Sequence, residues 1–106
     1  MPSFSKAKIK EEFIEAVNNG MPELFLPYIL SPEVSFDNLE PSIGYEYFRD
    51  ILVSLKEESP ETWRCRIIEI SESKQELSFY DQMHKHPRLT VYVTIGEKLV
   101  FDIMPF

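Results

Sequence analysis

Apart from one short alternating run around Val34 and Phe36, the apolar residues of this chain change period once, between Glu58 and Thr62. Upstream they recur every three or four residues, and downstream they alternate. A helix buries one stripe and a strand buries one side, so the switch divides the chain into a helical part and a sheet part. In the first part, Ile9, Phe13, Ala16 and Val17 form one stripe, which predicts a helix over Ser5 to Asn19. Ser5 suits its N-cap, and Gly20 suits the left-handed stop that costs glycine little. Pro22 suits the first turn of a second helix that buries Leu24, Phe25, Tyr28 and Ile29. Pro27 makes that helix short or kinked, and Ser31-Pro32 ends it.

Residues Glu33 to Asn38 alternate around Val34 and Phe36 and predict one early strand. Leu39 to Gly44 is expected to be a loop. A third helix is expected over roughly Ile43 to Glu58, with Ser42 as cap and Phe48, Ile51, Leu52 and Leu55 as its apolar stripe. Beyond Ser59-Pro60, Trp63, Cys65 and Ile67 share one face, opposite Arg64, Arg66, Ile68 and Ile70. Strands are then expected over Glu76 to Met83, Arg88 to Ile95 and Lys98 to Phe106, with turns at Ser71 to Lys74, His84 to Pro87 and Gly96-Glu97. Helices followed by short-linked strands indicate an α+β fold, here three N-terminal helices packed on a curved antiparallel sheet of about five strands. No repeat or composition shift marks a boundary, so residues 1–106 are expected to form a single domain.

The composition narrows the function classes. With 11 Lys and Arg against 18 Asp and Glu, the formal charge is −7, and the basic residues are scattered. Nucleic-acid grooves need clustered cations, so no nucleic-acid partner is expected. No apolar run reaches the roughly 18 residues that span a bilayer, and Met1 to Lys10 lacks the apolar core of a signal peptide. One cysteine cannot close an intramolecular disulfide, so a reducing, cytoplasmic setting and no membrane are expected. On a strand, Arg64 and Arg66 point away from Cys65, which favours a packed thiol over a reactive thiolate.

The leading helix followed by Leu30-Ser31-Pro32-Glu33-Val34-Ser35-Phe36, the amphipathic helix Tyr45 to Leu55 opened by Gly44, and the strands from Trp63 to Phe106 together resemble the nuclear-transport-factor-2-like superfamily. That is the cone-shaped fold shared with ketosteroid isomerase and the SnoaL-type polyketide cyclases. The resemblance covers nearly the whole chain but carries no sharp motif, and the chain is somewhat short for the group. It implies a cone closed by helices, with an apolar pocket whose lining would include Phe36, Phe48, Trp63, Phe79, Tyr92 and Phe101.

Active members of that group usually hold a polar residue in an apolar pocket. Apolar walls raise a carboxyl's pKa and suit it to proton transfer. The aspartates of interest are Asp37 at the end of the first strand, Asp81 on the face of Leu77 and Phe79, and Asp102 between Phe101 and Ile103. Asp102 must either pair with Arg64, Arg66 or Arg88 or face a cavity. Asp37 or Asp102 could serve as base with Tyr80 or Tyr92 as donor, although both tyrosines also suit cross-strand packing. His84 and His86 lack the further ligands zinc requires, so no metal and no cofactor are expected. Serine elbows and phosphate-binding glycine loops are absent from the sequence.

Three functions compete: a small-molecule-binding or scaffold protein with an apolar pocket, a pocket enzyme with an aspartate base, and an acidic inhibitor or immunity-type partner. The first is preferred, because no acid–base pair is convincing. Ile68, Ile70, Val100 and Met104 would leave apolar area on the open sheet, which predicts a homodimer through the sheet.

Overall fold

The computed structural model describes residues 5–104. The first helix, α1 (Lys6–Asn19), is capped as its sequence indicates: the Ser5 hydroxyl accepts from the Lys8 amide. Gly20 closes it at φ 65°, a left-handed conformation that costs residues with a Cβ about 1–2 kcal/mol. A Cβ there would also crowd the Lys56 side chain at 3.2 Å. Pro22 and Pro27 split the next segment into a 3-10 turn (Pro22–Leu24) and the single-turn helix α2 (Leu26–Ile29). Phe25 and Ile29 face the core, whereas Leu24 lies at the surface.

The third helix, α3 (Pro41–Glu58), starts earlier than its sequence suggests. Pro41 occupies its first turn, where a fixed φ favours a helix and no amide is lost. Ser42 is therefore inside the helix rather than its cap, and Glu40 holds the cap position without a side-chain bond. Gly44 is internal too. It faces Phe36: a Cβ there would lie 3.4 Å from that side chain, an ordinary contact distance.

Five strands form one sheet: β1 (Val34–Phe36), β2 (Arg64–Ser71), β3 (Lys74–Tyr80), β4 (Leu89–Ile95) and β5 (Leu99–Ile103). Their order is β1-β5-β4-β3-β2. The α+β class therefore holds, but the sheet is mixed rather than antiparallel, because β1 pairs in parallel with β5. Hairpins force β2 to β5 into antiparallel neighbours. No hairpin links β1 to β5, so that constraint does not reach it. β1 is also short, and past it Leu39 adds only an isolated bridge to Phe36. The expected strand at Glu76 to Met83 is shifted toward the N-terminus, and Ser71 pairs directly with Lys74. The end of the strand expected up to Phe106 lies outside the described residues.

Strand parity sorts the two faces. Leu77, Phe79, Leu89, Val91, Val93 and Phe101 point toward the helices and are buried. Six of the eight phenylalanines meet there. Phe13 lies at their centre, with ring centroids 4.7 Å from Phe101, 5.1 Å from Phe25 and 5.3 Å from Phe48. Ile67 shares the parity of this face but is 45% exposed, because the helices cover little of β2. Among the described residues no helix is long and apolar enough to cross a membrane.

Candidate functional site

The expected pocket residues fall into separate environments. Phe36, Phe48, Phe79 and Phe101 are fully packed core rings, with Phe36 5.5 Å from Phe48 and 6.1 Å from Phe101. Trp63 is buried at the edge of the core, where its indole N–H donates to the Ser59 carbonyl at 3.1 Å. The Lys56 ammonium lies 4.2 Å from the centroid of the Trp63 ring. That ammonium donates to the carbonyls of Asn18 and Glu61 at 2.7 and 2.6 Å, tying the ends of α1 and α3 together. Burial pushes Lys56 down to about 8, with Glu61 opposing the shift. Tyr92 is on the opposite side of the sheet. It donates to Glu76 at 3.1 Å, and the Lys74 ammonium lies 4.9 Å from its ring centroid. The six residues thus do not line one space.

An apolar groove remains beside this core, with a volume of about 390 Å³. α3 contributes Tyr47, Ile51 and Leu55, one side of its stripe at four-residue spacing, while Phe48 and Leu52 fill the core. Leu89, Ile103 and Met104 form the facing wall at the ends of β4 and β5, and Asp50 and Ser54 stand at its rim. The groove was foreshadowed in the sequence only by Ile51 and Leu55.

The candidate catalytic residues are also dispersed. Asp37 adopts φ 52° at the end of β1, and its carboxylate accepts from the Ile103 amide at 3.3 Å. Burial raises its carboxyl, the Ile103 amide opposes this, and the Asp102 charge adds to it. Asp102 is half-buried on the outer face, in register with Tyr92. It has neither of the two environments expected for it: among the described residues it makes no ion pair with Arg64, Arg66 or Arg88, and it does not line the groove. Tyr80 ends β3 opposite Arg64, far along the sheet register from Asp102.

Asp81 is the acid the fold encloses, at 2% exposed. One oxygen accepts the amides of Met83 and His84 at 3.1 and 2.7 Å. The other accepts the Ser59 hydroxyl at 2.5 Å and contacts His84 Nδ1 at 2.6 Å. Burial alone would raise this carboxyl. The bonds from Ser59, the His84 amide and ring, and the Met83 amide outweigh it and hold the group well below the usual carboxylate range. Asp81 therefore organises the loop from Asp81 to Arg88 instead of emerging into water. Sharing a face with Leu77 and Phe79 was the sequence signal for its burial. Its reach to the amides two and three residues on is the local bonding typical of aspartate in turns.

The remaining nucleophile is inert. Burial pushes the Cys65 thiol up to about 11, and Lys10 offsets this only in part. Among the described residues, no group of three or more His, Cys, Asp or Glu is placed to hold a metal ion. Comparison with protein-family models and with curated proteins finds no match to this chain.

Proposed function

We propose that this chain is a small binding module of the cone-shaped type, and that its ligand is a small apolar molecule seated between α3 and the ends of β4 and β5. The observation that carries this reading is the open apolar groove of Tyr47, Ile51, Leu55, Leu89, Ile103 and Met104. Pockets of a few hundred Å³ with mostly apolar walls suit small ligands. The fold relationship is supported by the element order and by the placement of the first strand beside the last. Packed phenylalanines occupy the middle of the core, so the binding space moves to its margin. Asp37 bonds the backbone amide of the wall residue Ile103 but does not itself line the groove, so an enzymatic version would lack an acid from the expected set in contact with the ligand. Binding without chemistry is the simpler function, because both candidate tyrosines lie elsewhere. A cytoplasmic protein fits the same reading.

A neutral fluorophore, 1-aminoanthracene, tests the groove. Its emission is expected to rise saturably with the intact chain and to lose that rise with Met104→Glu and Tyr47→Glu. Both side chains are exposed, so the fold should survive their exchange. Unchanged binding by both variants, or no saturable signal, overturns the assignment.

A second observation favours self-association. On the outer face of the edge strand β2, Ile68 and Ile70 are 39% and 52% exposed. A register shift between Glu69 and Ser71 bulges this strand and discourages simple edge-to-edge pairing. We therefore propose that two copies pack through the outer sheet face around Ile68, Ile70 and Val100. Sedimentation at micromolar concentration should give the mass of two chains, and Ile68→Lys with Ile70→Lys should give one. A single-chain mass for the unaltered protein overturns this.

A further inference from the structure

The basic residues are not all dispersed once the chain is folded. Arg64 and Arg66, two residues apart on β2, point to the outer sheet face, and Arg64 stands in register with Tyr80 at the end of β3. The loop after β3 brings His84 and Lys85 to the same place. These groups, with Cys65, surround one open depression of about 460 Å³. It shares no residue with the α3 groove.

Three features distinguish this depression from a chance meeting of surface charges. First, Arg64, Arg66 and Lys85 make no ion pair among the described residues, in a chain that carries 18 acids. Second, the neighbouring acids are engaged elsewhere. Glu58 binds Arg88 at 3.0 Å, Glu61 accepts the Gln82 amide at 3.2 Å, and Asp81 is buried beneath the loop. Third, His84 is held from below. A carboxylate that stays ionised can only accept, so the Nδ1 atom 2.6 Å from Asp81 carries a proton. That fixes the ring and leaves Nε2 as its outward nitrogen, the arrangement by which a buried carboxylate orients a functional imidazole.

We propose that this depression is a binding site for the phosphoryl group of a small phosphate ester. Two guanidinium groups can each offer paired N–H donors to a tetrahedral dianion. Lys85 adds a mobile point charge and the Tyr80 hydroxyl a directional bond, and His84 Nε2 donates a further one when the ring carries both of its protons. Three positive charges exceed what a single carboxylate would balance, which is why a dianion fits better. Asp81 is a positioning residue here: it touches His84 and not the ligand.

The test is a chemical-shift titration of the isotopically labelled full chain at constant ionic strength. Phenyl phosphate is one ligand, inorganic phosphate a second and chloride the control. Saturable shifts at Arg64, Arg66, His84 and Lys85 are expected with phenyl phosphate in the millimolar range or below. Weaker saturation with inorganic phosphate would assign part of the affinity to the ester's organic group, and equal saturation would make free phosphate the better ligand of the same site. Arg64→Gln with Arg66→Gln should weaken binding by at least about tenfold, while Lys8→Gln, a basic residue on α1, should leave it unchanged. All these side chains are exposed, so folding is not at stake. The side-chain nitrogen signals of His84 should show the proton on Nδ1, and Asp81→Asn should shift that population. Shifts that follow chloride equally, or a double arginine variant that binds as the parent does, overturn the proposal.

Discussion

Replacing Phe13 with alanine is expected to destabilise the chain by about 3–5 kcal/mol, the range for emptying a buried phenylalanine site. The ring touches α2's approach, α3 and the sheet together: its centroid lies within 5.3 Å of those of Phe25, Phe48 and Phe101, and at 6.1 Å from that of Phe79. No neighbour can close the space without leaving another. Single domains are stable by about 5–15 kcal/mol, so one truncation removes a large share. The thermal midpoint should fall by about 12 °C or more. Denaturant melts of Phe13→Ala and Phe13→Leu beside the parent measure this, with leucine costing clearly less. A loss below about 1 kcal/mol for alanine would mean that these rings border open space, and the cone interior would again be the natural ligand site.

That contrast shows where the sequence was informative. Period gave the faces correctly: Leu77 and Phe79 against Ser78 and Tyr80, or Leu89, Val91 and Val93 against Thr90, Tyr92 and Thr94. Caps were legible too, since Ser5 and Gly20 act through local geometry. Parity says which residues share a face, but not what covers it. Ile67 has the parity of Leu77 and Val91 yet stays exposed, because cover depends on where helices distant in sequence lie. The same limit applied to the pocket. Aromatic residues on an inward face line a cavity only if the opposing elements bring too little volume to fill it. Here Phe13, Phe25 and Phe48 fill it, and the unfilled space is displaced to the other side of the α3 stripe. Charge behaved likewise. Arg64 and Arg66 are separated from Lys85 by a strand and a turn, and only the β2–β3 hairpin joins them into one patch.

The strongest pH effect is expected from Asp81. The native carboxyl sits below its ordinary value of 3.8. A depressed native pKa means that the unfolded chain takes up the proton first as pH falls. Asp81's contribution is therefore complete above about pH 5 and is lost as pH falls through the ordinary carboxylate range toward the native value. Asp37 acts in the opposite sense, because burial raises its native pKa and acid favours its folded form. The total acid limb mixes these slopes, so the informative quantity is the difference between the parent and Asp81→Asn. Asparagine can still accept the Met83 and His84 amides through its oxygen. Its NH₂ then meets the Ser59 hydroxyl and His84 Nδ1, two groups that had been donating. The hydroxyl can turn and the imidazole can change tautomer, whereas Asp81→Ala leaves every donor without its acceptor. Alanine should thus be the most destabilising single change of a polar residue in the described chain, with asparagine intermediate and Ser59→Ala milder still. Urea midpoints at pH 7, 4 and 2.5 check both parts. The parent should exceed Asp81→Asn most at neutral pH, and the gap should narrow on acidification. A gap that is constant across this range would show that the buried carboxylate is not what holds the loop and His84 in place.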